Sequence, residues 1–244
     1  RFNQLVPKEI TSANLDIGMT NAITGEPVSA DKLAIARIPM TDTTRWSSIL
    51  NKAISISPLA LWRLRHPQYP VSREKGGRIR LHSGDYMVQE DLVFPPDLKV
   101  VLDVGTTLRI GAGKLVLAQN GIEIRGTKKR PVIVTSIDPL QHFGSLAVLG
   151  KKGTQSDINH LYVSNGSDRW HAGIFFSGGL SIYHNDKTRI RNSVFANNRA
   201  DDGVNIKHGL VSIEDSKFID NAADHIDLDY CSGSIVNSQF FMSS

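Results

Sequence analysis

The residues best suited to chemistry lie between positions 201 and 229, where seven aspartates are interleaved with two lysines and two histidines. The whole chain has a formal net charge of +4, yet residues 201–244 contain eight acidic and only two basic side chains. Carboxylates concentrated in this way are typical of a cation site or of acid–base catalysis. The candidates are Asp201, Asp202, Lys207, His208, Asp224, His225, Asp227 and Asp229.

Two kinds of chemistry fit these residue types. Ca²⁺ binds six or more oxygens, so Asp201, Asp224 and Asp227 are candidate calcium ligands. Lys207 would then be a candidate general base, provided that its surroundings lower its pKa. Glycoside hydrolysis instead needs two carboxyl groups roughly 5–9.5 Å apart. Asp202 with Asp224 or Asp227 fits that spacing, because one or two strand spacings measure about 5–10 Å.

His208 is a further catalytic candidate, and the candidate substrate-binding residues are Tyr183, Asn205, His225 and Asp229. A purely structural role is also open for the whole set. Aspartates at the corners of a repeat commonly bind the backbone of turns. An exposed ion pair between Lys207 and Asp229 would stabilise the fold by only about 0–1 kcal/mol.

These residues belong to a repeat that predicts the fold. Segments 188–195, 211–218 and 233–240 share isoleucine, serine and phenylalanine at equivalent positions, at intervals of 23 and then 22 residues. Such intervals are typical of stacked solenoid coils. The matching residues are Ile190, Ile213 and Ile235; Ser193, Ser216 and Ser238; and Phe195, Phe218 and Phe240.

The coils are predicted to be β-structure, because residues 204–207 and 226–229 strictly alternate apolar and polar side chains. We align Leu180, Val204 and Ile226 as inward residues. The polar residues between them then form outward columns with a spacing of about 4.8 Å per strand. The predicted columns are Ser181, Asn205 and Asp227; then Tyr183, Lys207 and Asp229; then His184, His208 and Tyr230 at the edge.

The same alternation extends back to about residue 78 and predicts about seven coils of about 20–25 residues each. We therefore predict an all-β parallel solenoid over residues 78–244. The first 77 residues lack this alternation and predict two helices, 43–54 and 58–65. The second helix has Ser57 as its N-cap and has Leu61 and Leu64 on one side. We expect residues 1–77 to form a partly helical cap over the open end of the first coil. The predicted strands are 78–81, 86–88, 92–94, 100–102, 107–110, 114–117, 121–124, 132–134, 146–148 and 161–163.

Several segments resemble the right-handed parallel β-helix domains of bacterial envelope and secreted proteins. Residues 92–96 followed by 104–108 are similar to the entry coils of that family. Residues 178–183, 200–207 and 223–229 resemble later coils of a subgroup sometimes found beside a spore-coat-type kinase domain. The resemblance implies a right-handed parallel β-helix and an extracytoplasmic location, either periplasmic, on the cell surface or secreted.

The resemblance leaves two classes of function open. The preferred expectation is a non-catalytic domain that presents a flat face to polysaccharide or to a protein partner, with Tyr162, Trp170 and Tyr183 as candidates for stacking on sugars. The alternative is a polysaccharide lyase, glycoside hydrolase or uronate epimerase acting at residues 201–229. Lyases built on β-helices commonly hold Ca²⁺ with outward aspartates, which makes calcium the one possible cofactor.

The remaining features of the sequence limit the kinds of partner and covalent link that we expect. The lone cysteine, Cys231, excludes an internal disulfide, and no run of apolar residues is long enough to span a membrane. Basic residues at 125 and 128–130 lack the interleaved aromatic residues that nucleic-acid binding favours. The chain stops directly after Phe240, so we expect the solenoid to continue beyond Ser244 or to associate end to end with another subunit.

Overall fold

The structure, a computed structural model, describes residues 57–242. The predicted helix 43–54 lies outside the described residues. Within them the protein is all-β, with one helix, α1 (Pro58–Arg65), and 21 strands. The strands are β1 (Val71–Glu74), β2 (Arg78–Leu81), β3 (Asp85–Val88), β4 (Leu92–Val93), β5 (Lys99–Leu102), β6 (Thr107–Ile110), β7 (Val116–Ala118), β8 (Ile122–Arg125), β9 (Val132–Ser136), β10 (Leu146–Leu149), β11 (Gln155–Asn159), β12 (Leu161–Ser164), β13 (Arg169–His171), β14 (Ile174–Phe176), β15 (Gly178–Tyr183), β16 (Lys187–Arg191), β17 (Val194–Ala196), β18 (Asp202–Glu214), β19 (Lys217–Ile219), β20 (Asp224–Val236) and β21 (Gln239–Phe241).

Most strands pair in parallel with a strand one circuit of the chain away, and they form three rows. The first row is β2, β5, β8, β11, β16 and the second halves of β18 and β20. The second row is β3, β6, β9, β12, β17, β19 and β21. The third row is β4, β7, β10, β15 and the first halves of β18 and β20. Because β18 and β20 each run through two rows, the sheet is curled.

The repeat aligned in the sequence is confirmed in the pairing register. Ile190 pairs with Ile213, which pairs with Ile235. Phe195 lies over Phe218 with ring centroids 5.3 Å apart, and Phe218 lies 4.9 Å from Phe240. Each serine of the repeat accepts a hydrogen bond from the backbone of the preceding circuit, as Ser216 Oγ does from the N–H of Ser193 at 3.2 Å. Inward apolar residues from the three rows thus form one continuous core.

Helix α1 forms where the sequence predicts it. The Ser57 hydroxyl accepts a hydrogen bond from the N–H of Ala60 at 3.2 Å, and Pro58 occupies the first helical position. The prediction of its apolar side was wrong: Leu61 and Leu64 are exposed. The helix instead buries Leu59 and Trp62, whose ring lies 5.1 Å from Phe94 and whose indole N–H donates to the Val93 carbonyl at 2.8 Å. The large indole buries more apolar area than a leucine, and this decides which side packs.

A hairpin formed by β13 and β14 covers the outer side of the third row, a feature that the sequence did not predict. Phe176 from this hairpin packs against outward residues of the row and creates a second apolar cluster outside the main core. The third row is therefore buried on both sides at β15, where all six residues are buried. The other members of the cluster are Leu115, Leu117, Ala147 and Tyr183, with Val93, Leu149 and Ile174 at its margin.

Strands β20 and β21 expose apolar side chains such as Ile235, Phe240 and Phe241. End-to-end association through this edge stays a prediction. Among residues 57–242, no helix has the length and apolar character needed to cross a membrane.

Candidate functional site

The polar columns predicted for the third row are present in the predicted register. Ser181 pairs with Asn205, and Asn205 with Asp227. Tyr183 pairs with Lys207, and Lys207 with Asp229. The face is not open along its length, however, because the hairpin covers its β15 end and leaves only the later strands accessible.

Asp202 is the most perturbed carboxyl group of this face. Its side chain lies under the end of the hairpin with only 3% of the residue exposed, and it accepts a hydrogen bond from the Ser177 hydroxyl at 2.8 Å. Burial raises its pKa to about 6, and the nearby carboxylates of Asp227 and Asp201 add to the rise. A carboxyl group with this pKa can give or take a proton near neutral pH.

Asn205 links Asp202 to the next carboxylate of the face. Its side-chain amide lowers the pKa of Asp202, opposing the larger effect of burial, and donates to Asp227 Oδ2 at 2.8 Å. Asn205 is fully buried, and its Oδ1 has no hydrogen-bond partner among the described residues. Its burial argues against the direct substrate contact that the sequence suggested.

Lys207 and Asp229 form an ion pair of 2.9 Å with both side chains partly exposed. The hydrogen bond to Asp229 raises the pKa of Lys207. A general base acting near neutral pH needs the opposite shift. The geometry therefore favours the structural interpretation of this pair over the catalytic one.

The aromatic candidates divide between buried and exposed positions. Tyr183 is only 4% exposed, and its hydroxyl donates to the Phe175 carbonyl at 3.1 Å, so it supports the hairpin. Trp170, at the hairpin, is 65% exposed. His208 lies in an exposed stack with ring centroids 4.8 Å from His184 and 5.0 Å from Tyr230. Stacked rings present mainly their edges, which suits a structural ladder better than a platform for sugars.

The remaining aspartates do not converge with Asp202. Asp224 pairs in register with Asp202 rather than with Asp201, and both Asp224 and Asp201 are exposed. His225 Nδ1 lies 3.1 Å from the amide nitrogen of Asn221. The Oδ1 of Asn221 accepts hydrogen bonds from the backbone and the side chain of Asn198, and we call these two stacked residues the asparagine ladder. Within residues 57–242, no group of three or more His, Cys, Asp or Glu side chains is arranged to hold a metal ion. The structure thus gives no support to the calcium site predicted at Asp201, Asp224 and Asp227.

A cavity lies elsewhere, on the outer side of the first row. It has a volume of about 570 Å³ and is lined by residues of β2, β5, β8, β11 and β16. We call it the first-row groove. Its charged lining consists of two carboxylates, Glu123 and Asp157, and six cations, Arg78, Lys99, Arg125, Lys187, Arg189 and Arg191.

Both carboxylates of the first-row groove are engaged by guanidinium groups. Arg125 donates to Glu123 at 2.7 Å and also forms a two-point contact with Glu74 at 2.9 Å. Arg191 donates to Asp157 at 2.8 Å, and Arg189 lies 3.4 Å from the same carboxylate. These hydrogen bonds hold the arginine side chains against the sheet.

Lys99 and Lys187 differ from the arginines. Neither ammonium group has a carboxylate within ion-pair distance among the described residues. Burial lowers the pKa of Lys99; the carboxylates of Glu123 and Asp157 oppose this shift without reversing it, and the nearby Arg78 adds to it. These two lysines are therefore the cations that a ligand would meet without displacing an existing partner.

Sequence reasoning missed the first-row groove, although a signal was present. Charged residues flank isoleucine in β2, β8 and β16, and Ile124 and Ile158 pair in the same column as Ile190 of the repeat. Aligning the earlier circuits on these isoleucines would have placed the outward charges side by side.

Neither family models, curated proteins nor solved structures provide a match to this chain. Any functional conclusion therefore rests on the geometry of these two surfaces.

Proposed function

We propose that the chain from residue 78 onward is a right-handed parallel β-helix of about seven coils, and that it serves as a non-catalytic, extracytoplasmic domain that binds polysaccharide along its first row. The observation that carries this proposal is the first-row groove. The three parallel rows and their recurring order support the β-helical architecture.

The shape of the first-row groove suits an extended polymer. It crosses five neighbouring strands, so it is about 19 Å long in the direction of stacking. Its walls are side chains on paired strands, which hold their positions without a bound ligand. A cavity of this length and rigidity accommodates several sugar units of a linear chain.

The chemistry of the groove favours binding over catalysis. Glycoside hydrolysis needs one carboxyl group that carries a proton and one that acts as a base or nucleophile. Glu123 and Asp157 instead each accept a hydrogen bond from an arginine, so both carboxylates already have partners within the groove. Gln155 and Asn159 supply neutral hydrogen-bonding groups that fit sugar hydroxyls.

The test is binding of the full chain to a panel of neutral and acidic soluble polysaccharides, measured by isothermal titration calorimetry. We expect saturable binding to at least one member of the panel. Gln155→Ala removes one hydrogen-bonding side chain from the groove and should weaken binding about fivefold. Gln239→Ala, a matched change on the exposed strand β21 of the second row, should leave the affinity unchanged. Absence of binding across the panel, or equal loss in the two variants, would refute the proposal.

A second candidate function is a polysaccharide-cleaving activity at the outward side of the third row around Asp202, Asp227 and Asp229, which we call the acidic face. It is favoured by the raised pKa of Asp202 beside Asp227. It predicts cleavage of a uronate polymer or a neutral glycan, detected by newly formed reducing ends or by an unsaturated product. Asp202→Asn should abolish this activity, whereas Asp201→Asn should not. No cleavage by the wild-type chain would remove this candidate and leave the binding proposal untouched.

A further inference from the structure

We propose that the ligand of the first-row groove is a linear polyanion, a polysaccharide with regularly spaced carboxylate or sulfate groups, and that Lys99 and Lys187 are its two principal anchors. This inference rests on the proposed function of the groove and adds the charge class of the ligand and the residues that select it.

The charge balance of the groove favours an anionic ligand. Six cations and two carboxylates line it, and Glu123 and Asp157 are the only two acidic residues of that lining. The two carboxylates are directly paired on β8 and β11, in the middle outward column of the row. Cations therefore surround a neutralised centre, and the net charge is positive at the two ends and along the sides of the groove. A neutral glycan gains nothing from such an excess, whereas an anionic one is attracted to it.

The two lysines lie in the same outward column of the first row. Val100 pairs with Ile122, so the preceding residue, Lys99, lies opposite Gly121. Gly121 in turn lies opposite Gln155, which pairs with Lys187. Gly121 and Gln155 occupy the two positions between them in this column. The lysines are thus three strand spacings apart, or about 14 Å.

The space between these lysines is shaped by Gly121. Gly121 has a φ of +79°, and a Cβ at this position would lie 2.4 Å from the Gln155 carbonyl oxygen, so glycine is required there. Gln155 therefore supplies the single side chain between the two lysines in this column. A polymer that bridges the two cationic positions meets one neutral amide between them.

Lys99 is held in the groove at a cost. Burial removes hydration from its ammonium group and lowers its pKa, and the carboxylates of Glu123 and Asp157, neither of which is within ion-pair distance of it, offset this only in part. A bound anion would compensate for the lost hydration. The structural arginines need no such compensation, because Glu74, Glu123 and Asp157 already pair with them.

The composition of the groove also separates a polysaccharide from a polynucleotide. No aromatic side chain is among the residues that line this cavity. Proteins that bind single-stranded nucleic acids combine a basic groove with aromatic rings on which bases stack. The first-row groove provides the charge without the stacking surface.

The experiment compares four probes of similar length by calorimetry with the full chain: a polyuronate, a dextran sulfate, unmodified dextran and a mixed-sequence single-stranded DNA. We expect the polyuronate, the dextran sulfate or both to bind, with affinity that falls as salt rises. The two anionic arms distinguish carboxylate from sulfate as the group recognised.

The variant Lys99→Gln/Lys187→Gln should weaken binding of the preferred polyanion at least about tenfold. Its matched control is Lys128→Gln/Lys129→Gln, which removes the same charge from an exposed turn and should change the affinity by less than about twofold. Gln155→Glu adds a negative charge between the two anchors and should also weaken polyanion binding. Far-ultraviolet circular dichroism and urea denaturation verify that each variant is folded.

The outcomes separate this inference from the function on which it depends. Binding of dextran as tightly as of the polyanions, without dependence on salt, would overturn the charge class but leave polysaccharide binding intact. Failure of all three polysaccharides to bind would overturn both. Tighter binding of DNA, lost in the Lys99→Gln/Lys187→Gln variant, would identify a polynucleotide groove and overturn the inference, as would equal losses in the variant and its control.

Discussion

Replacing Asp202 with asparagine should stabilise the protein at neutral pH and leave its stability unchanged in acid. The folded structure raises the pKa of Asp202 from its ordinary value of 3.8 to about 6, chiefly by burial. The folded state therefore holds a proton that the unfolded state releases between these two values. Stability contributed by the protonated group is fully present below about pH 4 and is lost as the pH rises towards 6.

The magnitude follows from the same shift. A rise of about two pH units at about 1.4 kcal/mol each corresponds to an upper limit of about 3 kcal/mol for the cost of ionising Asp202 in the folded state. Asparagine avoids this cost and keeps an oxygen that can accept the Ser177 hydroxyl hydrogen bond. We therefore expect Asp202→Asn to raise the free energy of unfolding by up to about 3 kcal/mol above pH 7 and by about zero below pH 4.

The assay is urea denaturation of wild type and variant, followed by circular dichroism, at a series of pH values between about 4 and about 8. Asp201→Asn is the matched control, since its exposed side chain should leave the free energy of unfolding within about 0.5 kcal/mol of wild type. An advantage of Asp202→Asn that stays constant with pH, or that grows in acid, would refute the assignment of Asp202 as a buried, destabilised carboxylate.

Three further predictions concern the repeat, and each is measured by urea denaturation. Phe218→Ala removes a buried ring stacked between two others and should lower the free energy of unfolding by about 3–5 kcal/mol. Phe240→Ala, at a half-exposed ring, should lower it clearly less, and equal losses in the two variants would contradict the role given to stacking. Asn221→Ala leaves the buried Asn198 without its acceptor and should cost about 1–3 kcal/mol, so a cost near zero would show that the ladder is dispensable. Lys207→Met breaks a partly exposed ion pair and should cost less than about 1 kcal/mol; a larger loss would indicate that the pair is more than a surface contact.

Much of the fold was predictable because a solenoid repeats its local chemistry. Alternation of apolar and polar residues located most strands to within one or two residues, as for β2 and β6. The isoleucine and phenylalanine repeat also predicted the register of β16, β18 and β20, since a slip of one residue would turn the core residues outward. Strand β11 was missed because its segment is mostly polar, with Ile158 as its single apolar residue.

The features that escaped prediction depend on contacts between distant parts of the chain. The β13–β14 hairpin has no counterpart in the repeat, yet it buries Tyr183 and covers Asp202. A side chain that alternation places outward is exposed only if nothing packs over it. The acidic face was therefore located correctly in sequence and register but was interpreted as more open than it is.

The sequence by itself determined the strand periodicity, the register of the repeat and the clustering of acidic residues near its end. These properties follow from local alternation and from the spacing of identical residues, which are independent of long-range packing. Only the tertiary structure decided which charges share a surface. Arg78 and Lys187 are far apart in the chain, and successive circuits of unequal length bring them to one groove, because pairing depends on strand register and not on the number of residues between strands.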